Sequence, residues 1–267
     1  MPTEAVIENL ESRDYDKWER EKAELRNKSE AGKANGYDCT DCKNRGYFHV
    51  YIPSEYGAGL GYHKVRECKC VGARKSLRRI AQSGLADLID ECTFDAFIVK
   101  SEWQKEMKKK AEVFLADTSN RWFCVLGAVG SGKTHICTAI CRELLNRGEE
   151  VRYMMWLEEV IKIKAVAMDA DERRTLIEPL KVAPVLYIDD LFKTVRDGVV
   201  SDADIKLAFE ILNYRYINKK LVTIISSERC LESILNLDEA VGSRIYRRSK
   251  DCIIELSGAD KNYRYKS

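Results

Sequence analysis

Gly127-Ala-Val-Gly130-Ser131-Gly132-Lys133-Thr134-His135 follows an apolar run, Trp122–Leu126, and precedes a stretch that reads as a helix. It satisfies G-x4-G-K-[ST], a loop whose glycines turn backbone N–H groups onto phosphates while the next helix offers its positive end. Lys133 would reach the β- and γ-phosphates, and the Thr134 hydroxyl would hold Mg²⁺. Gly127, Gly130, Ser131, Gly132, Lys133, Thr134 and His135 are therefore the candidate contacts for ATP or ADP. About 55 residues later, Pro184-Val-Leu-Tyr-Ile-Asp189-Asp190 reads as a buried strand ending in two carboxylates. Ligands of open α/β sheets bind at that edge. Asp189 would take Mg²⁺ through water, and Asp190 stands where many ATPases carry a Glu that polarises the attacking water. The chemistry these residues predict is hydrolysis of ATP to ADP and phosphate.

Two further stretches bear on that chemistry. Thr223-Ile-Ile-Ser226-Ser227-Glu228 ends a strand in polar residues, which either sense the γ-phosphate or cap the following helix. In Gly242-Ser243-Arg244-Ile-Tyr-Arg247-Arg248, Arg244 and Arg248 fall four apart, on one face if helical. Arg244 is a candidate arginine finger acting on a neighbouring subunit's γ-phosphate; the plainer alternative is a solvated or DNA-facing basic surface.

A separate chemistry lies upstream. Cys39-x2-Cys42 and Cys68-x-Cys70 flank 25 residues that read as a hairpin, Tyr47–Ile52 returning through Tyr62–Glu67. Four thiolates suit one tetrahedral Zn²⁺ with no open position, hence a structural site; the alternatives are an iron–sulfur cluster and a chance grouping. His49 and His63 are spare ligands of the same unit. Cys92, Cys124, Cys137, Cys141, Cys230 and Cys252 read as small core residues.

The elements that must position these groups follow from pattern. Residues 4–30 read as a charged helical arm with Ile7, Leu10, Trp18 and Leu25 as a thin apolar stripe. Such an arm either stays solvated or binds a partner. Val71–Asp90 reads as a basic helix. From Ser101 onward, helices (Ser101–Leu115, Thr134–Asn146, Trp156–Met168, Asp202–Asn218, Leu231–Leu235) alternate with strands (Trp122–Leu126, Val151–Met155, Pro184–Ile188, Val222–Ser226, Cys252–Leu256). A polar connection precedes the Pro184 strand, and a basic stretch, Arg244–Lys250, precedes the last. Alternation over this length predicts an α/β fold with a central parallel sheet covered on both faces. The expected organisation is an arm over 1–35, a zinc module over 36–75, a basic helix and linker over 76–100 and an ATPase domain over 101–267.

The chain has 267 residues, 33% charged and 45% hydrophobic, with a formal charge of +2. That excludes a wholly disordered chain, and no apolar run approaches the ~18 residues of a membrane span. The charged start lacks a secretory pattern, so the expected location is cytoplasmic. Local charge is less even. Residues 64–79 carry seven Lys/Arg against Glu67 alone. That run, Lys105, Lys108–Lys110, Lys162 and Lys164 are candidate DNA contacts or solvated faces.

With these residues in hand, the chain resembles the DnaC/DnaI-type replicative helicase loaders, a branch of the AAA+ ATPases close to the initiator DnaA. The likeness rests on the order of parts: charged arm, four-cysteine module, basic helix, Ser83-Gly84-Leu85, Thr93-Phe94-Asp95-Ala96-Phe97, then the ATPase. The 19 residues after Arg248 fit a domain without a C-terminal lid. The resemblance implies a P-loop AAA+ ATPase that loads a hexameric DnaB-type replicative helicase onto single-stranded DNA. Its cofactors would be ATP/ADP, Mg²⁺ and Zn²⁺, with self-association through the ATP sites. It carries nucleotide and Mg²⁺ roles onto Gly132, Lys133, Thr134, Asp189 and Asp190 and the finger onto Arg244. Glu228 departs from the family, in which that sensor position is usually Asn. Alternatives are an IstB-type transposition helper ATPase and a helicase-binding adaptor with a mainly structural nucleotide site.

Overall fold

The computed structural model describes residues 4–33, 37–54, 61–82, 86–119, 121–195 and 198–262. Side chains of 4–14 are outside the description, as is the quoted Ser83-Gly84-Leu85. The chain divides into two units, Met1–Arg74 and Lys75–Ser267. Residues 75–100 thus fall with the ATPase portion, and α1 with the cysteines.

In the first unit α1 (Glu4–Ser29) precedes an antiparallel hairpin, β1 (Tyr47–Ile52) and β2 (Tyr62–Glu67), with Tyr47 opposite Glu67 and Ile52 opposite Tyr62. Among the described side chains the helix meets β1 through a polar stripe; Ile7 and Leu10 lie outside the described side chains. Tyr51 donates to Asp16 (2.7 Å), and Asn27 exchanges two bonds with the His49 backbone (2.8 and 2.9 Å). His63 pairs with Glu19 at 2.7 Å. Asp16, Glu19, Ala23 and Asn27 recur at helical spacing, so these groups share a face. Trp18 and Leu25 point outward, 54% and 66% exposed. The arm is therefore a packed element of this unit. The first turns of α2 (Cys70–Gln82) complete it.

The second unit holds a five-stranded, all-parallel sheet in the order β4-β5-β6-β3-β7. Its strands are β3 (Trp122–Gly127), β4 (Val151–Met155), β5 (Val185–Asp189), β6 (Val222–Ser227) and β7 (Ile253–Leu256). Near-continuous burial of β3, β5 and β6 is what two covered faces demand. The predicted α/β architecture is present. Helices α3 (Ala86–Glu91), α4 (Glu102–Ala116), α5 (Lys133–Asn146), α6 (Trp156–Ala165), α8 (Asp202–Ile217) and α9 (Leu231–Leu237) accompany it.

Two helices differ from the sequence reading. The polar connection contains α7 (Ala170–Val182), capped by Asp169, whose carboxylate accepts from Glu172 N at 2.9 Å. Only Ile177 and Leu180 bury their side chains there, and Pro179 interrupts the pattern, so the amphipathic signal is thin. The basic stretch belongs to α10 (Glu239–Ser249), where Arg244 and Arg248 face α8 and Arg247 is exposed. Among the described residues only a 3-10 turn, Ala259–Lys261, follows β7.

Arg215 locks the base of the sheet. It is fully buried, and its guanidinium donates to the carbonyls of Leu180, Lys181, Ala183 and Val222 and to Thr223 Oγ1. Those contacts tie α8 to the C-terminal end of α7 and to the start of β6, and they satisfy carbonyls of the last turn of α7.

Candidate functional site

Because β6 lies between β3 and β5, the three strands that end in chemistry-bearing residues open onto one edge. Leaving β3, the chain turns through Gly127 at φ 95°, where a Cβ would lie 2.0 Å from the Leu256 carbonyl oxygen. Gly132, at φ 82°, is the N-cap of α5 and lies close to the Phe97 ring. Only glycine meets both demands. A cavity of about 630 Å³ opens here, lined by Val129–His135, Asp190 and Glu228.

Lys133 is buried, its Nζ donating to the carbonyls of Gly127 (2.9 Å) and Ala128 (2.7 Å). Burial pushes its pKa down, against the opposing pull of Asp190 and Glu228. Asp189 is the focus of a hydroxyl cluster. Tyr187 (2.7 Å), Thr134 (3.4 Å) and Ser226 donate to Oδ1, and Tyr153 (3.0 Å) donates to Oδ2. Burial, followed by the charge of Asp189, raises both tyrosines well above their ordinary range, so they remain donors. Asp190 is pushed up by burial, then by Asp189 and Glu228, while Lys193 and Lys133 oppose the shift.

Asp190 and Phe192 adopt positive φ, 54° and 63°. For non-glycine residues this costs on the order of 1–3 kcal/mol each and persists where surroundings over-determine it. Here they do. Asp190 N donates to Ser226 Oγ (3.0 Å), Leu191 N to Ser226 O (2.8 Å) and Ser227 Oγ to Leu191 O (2.7 Å). The turn after β5 is thereby fastened to the tip of β6.

The opposite wall carries residues that motif reading missed. Leu88, Glu91, Cys92 and Ala96 line the cavity. Arg142 of α5 donates to Ile89 O (2.7 Å), and His135 Nε2 donates to Thr93 O (2.9 Å) with its ring edge-on to Phe97. His135 thus serves the wall as well as lining the cavity. The signal was present in Thr93–Phe97, which the sequence reading used only as a family mark. The donor set and glycine turns fit a nucleoside triphosphate, with Thr134 and Asp189 placed together for Mg²⁺.

Arg244 does not face this cavity. Its Nε donates to Asn213 Oδ1 (3.0 Å) and another nitrogen to Ala240 O (2.7 Å), with the guanidinium 5.0 Å from the Phe209 ring centre and 5.4 Å from that of Tyr216. Arg248 is buried and donates to the carbonyls of Tyr216 and Lys219, closing the end of α8. Several DNA candidates are likewise engaged. Lys108 donates to Phe94 O and Lys110 to Ile253 O; Lys162 pairs with Glu159, and Lys164 with Asp204. The basic run 64–79 is split, Lys64 and Arg66 lying on exposed β2 and Lys75 and Arg78 on α2.

In the first unit the sulfurs of Cys39, Cys42, Cys68 and Cys70 lie within 4.8 Å of one another, all buried. Cys39–Cys68 and Cys42–Cys70 are 3.8 and 3.6 Å apart. Zn–S bonds of about 2.3 Å in a tetrahedron put sulfurs about 3.8 Å apart, so the set fits Zn²⁺. Lys43 and Asn44 at positive φ form the turn that aims Gly46 N at Cys42 Sγ (3.2 Å). Burial pushes the Cys70 thiol up to about 12, a cost that a bound cation offsets. His49 and His63 pair with Glu30 and Glu19. Of the other six cysteines five are buried and Cys230 is half-buried.

Comparison with known proteins settles the family. The model of the IstB-like ATP binding proteins matches residues 70–251. The chain belongs to that family. Its relatives include the phage-like element PBSX protein XkdC of Bacillus subtilis, 30% identical over 88% of both chains. Another is the uncharacterized protein YqaM of the same organism, 32% identical over 72% of this chain and 64% of YqaM. The replicative helicase loader DnaC of Escherichia coli is 29% identical over 45% of this chain and 50% of DnaC. This member of the family thus spans less than two thirds of YqaM and half of DnaC. In fold, the family member superposes on a crystal structure of the DnaC helicase loader with TM-score 0.53 at 20% identity, covering 62% of this chain and 97% of that one. Among the described residues no helix is long and apolar enough to cross a membrane.

Proposed function

We propose that the protein is an ATP-dependent loader that places a hexameric replicative helicase on single-stranded DNA, with ATP binding and slow hydrolysis as its switch. The observation that carries this reading is one cavity uniting the P-loop with Asp190 and Glu228, Asp189 behind them, in a chain akin to DnaC. Gly127–Thr134 and His135 would cradle the phosphates, with Lys133 turning from its two carbonyls to the β- and γ-phosphates. Mg²⁺, held by Thr134 and Asp189, would neutralise charge on the phosphates. Asp190 would orient the attacking water. Binding of ATP favours self-association and grip on the helicase; hydrolysis, stimulated by DNA or the helicase, releases it. Arg244 would act as finger on a neighbour by leaving its aromatic cradle. Zn²⁺ on the four cysteines would hold the N-terminal unit that meets the helicase. The site of action is the cytoplasm.

Co-purification with the replicative helicase of the same genome tests this. An ATP-strengthened complex, lost in Lys133→Ala, is the expected result; absence of any complex overturns the reading. The family description favours a second reading, a transposition helper ATPase of the IstB type. Oligomers that form on duplex DNA without helicase affinity would select it.

A further inference from the structure

Glu228, at the tip of β6, faces two cavities. It lines the nucleotide cavity with Lys133 and Asp190, and a smaller one of about 190 Å³ with Leu191, Lys193 and Arg229. On that shared wall the Lys193 ammonium donates to the Glu228 carboxylate. The pairing is built in by the backbone. Lys193 N donates to Asp190 O (2.9 Å), and Arg229 Nε donates to Phe192 O (3.3 Å). With the bonds from Ser226 and Ser227, the 190–193 turn cannot slide along β6 without breaking several contacts. Lys193 was part of no motif; its place is fixed by two positive-φ residues that sequence patterns do not reveal.

The charge balance gives this pair a consequence. Asp190 and Glu228 line the cavity near the place where Thr134, with Asp189 behind it, would hold Mg²⁺, and Lys133 is the cation on the P-loop side. ATP brings more negative charge there than ADP does. An unpaired Glu228 would repel the γ-phosphate, whereas ADP does not extend so far. We propose that Lys193 is a positioning residue for the triphosphate: by holding and neutralising Glu228 it sets the preference for ATP over ADP. This inference rests on the ATP-binding reading and adds a residue to it.

The test is equilibrium binding of Mg·ATP and Mg·ADP to the full chain, wild type and variants. Lys193→Met should weaken ATP about five- to tenfold and ADP less than about twofold. Adding Glu228→Gln to it should bring the ATP-to-ADP ratio back to within about twofold of wild type. Equal loss for both nucleotides, or a double variant as poor as the single one, overturns the proposal. If Lys193→Met does not fold, two other variants decide. Lys193→Arg should keep the wild-type ratio and Glu228→Gln alone should raise it; an unchanged ratio in Glu228→Gln contradicts the role. Wild type that binds neither nucleotide would overturn the ATP-binding reading, and the proposal with it. Wild type that binds both, with variants that do not discriminate, would remove Lys193 alone.

Discussion

The two units are stabilised by different physics. In the described part of 75–267 a large apolar cluster packs on the sheet, from Trp122 and Leu126 to Leu186, Ile188, Leu212 and Ile245, all fully or nearly fully buried. Further buried apolar residues such as Phe114, Phe123, Ile136 and Ile140 add to the core. In the described part of 1–74, the buried apolar side chains are Ala23, Tyr51, Ala73 and the four cysteines. So small a core cannot offset the entropy of ordering the chain. Polar bonds from Asp16, Glu19 and Asn27, together with the sulfur cluster, must do what Leu and Ile do elsewhere. The contrast shows two ways to position chemistry: a dry sheet that fixes strand tips, and a four-cysteine cluster with polar bonds that fixes a small hairpin and helix.

The largest effect should come from metal removal, since structural Zn²⁺ contributes on the order of 10–16 kcal/mol in small domains. Chelation should unfold the N-terminal unit, seen as rapid proteolysis within 1–74, while ATP still binds to 75–267. Loss of ATP binding on chelation would erase the contrast. Next, Leu212→Ala, at a fully buried position on α8, should cost about 2–5 kcal/mol in urea unfolding and leave metal content unchanged. Lys133→Ala should weaken ATP about a hundredfold, near 2.8 kcal/mol, without moving the melting temperature of either unit. A loss of fold would show that Lys133 supports the loop structurally through Gly127 and Ala128.

The smallest effect concerns pH. Burial raises the Asp204 carboxyl, but hydrogen bonds from Lys164 and Ser201 outweigh it, and the net pKa lies below the ordinary 3.8. A depressed folded pKa gives stability that is complete above 3.8 and lost as pH falls through the lower folded value. The stability gap between wild type and Asp204→Asn should therefore be widest at neutral pH and narrow below pH 3.8. A gap independent of pH would assign Asp204 a capping role only, through its bond from Ser201 N.

Much of the second unit was legible in the sequence because its signals are local. The P-loop sits between a strand and a helix, and two carboxylates end an apolar run. What escaped was non-local. Tyr187 lies two residues before Asp189 on β5, whereas Tyr153 reads only as a strand residue and the β4–β5 register brings its hydroxyl to Asp189. The wall from Leu88 to Ala96 needed Arg142 and His135 to fix it on α5. In the first unit the cysteine spacing was legible, but the face of α1 was not. Apolar periodicity pointed to Trp18 and Leu25, whereas the packed face is polar. Arg244 illustrates the same limit: its spacing to Arg248 was right for a helix face, and that face packs on α8.

The central claim is that ATP binding in the 75–267 unit drives helicase placement. The direct measurement is transfer of the hexameric replicative helicase onto circular single-stranded DNA, scored with ATP, with ADP and with the Lys133→Ala protein. Loading that requires the wild-type protein and ATP, and fails with ADP or Lys133→Ala, is the predicted result. Loading that proceeds equally in all three conditions, or not at all with wild type and ATP, would contradict it.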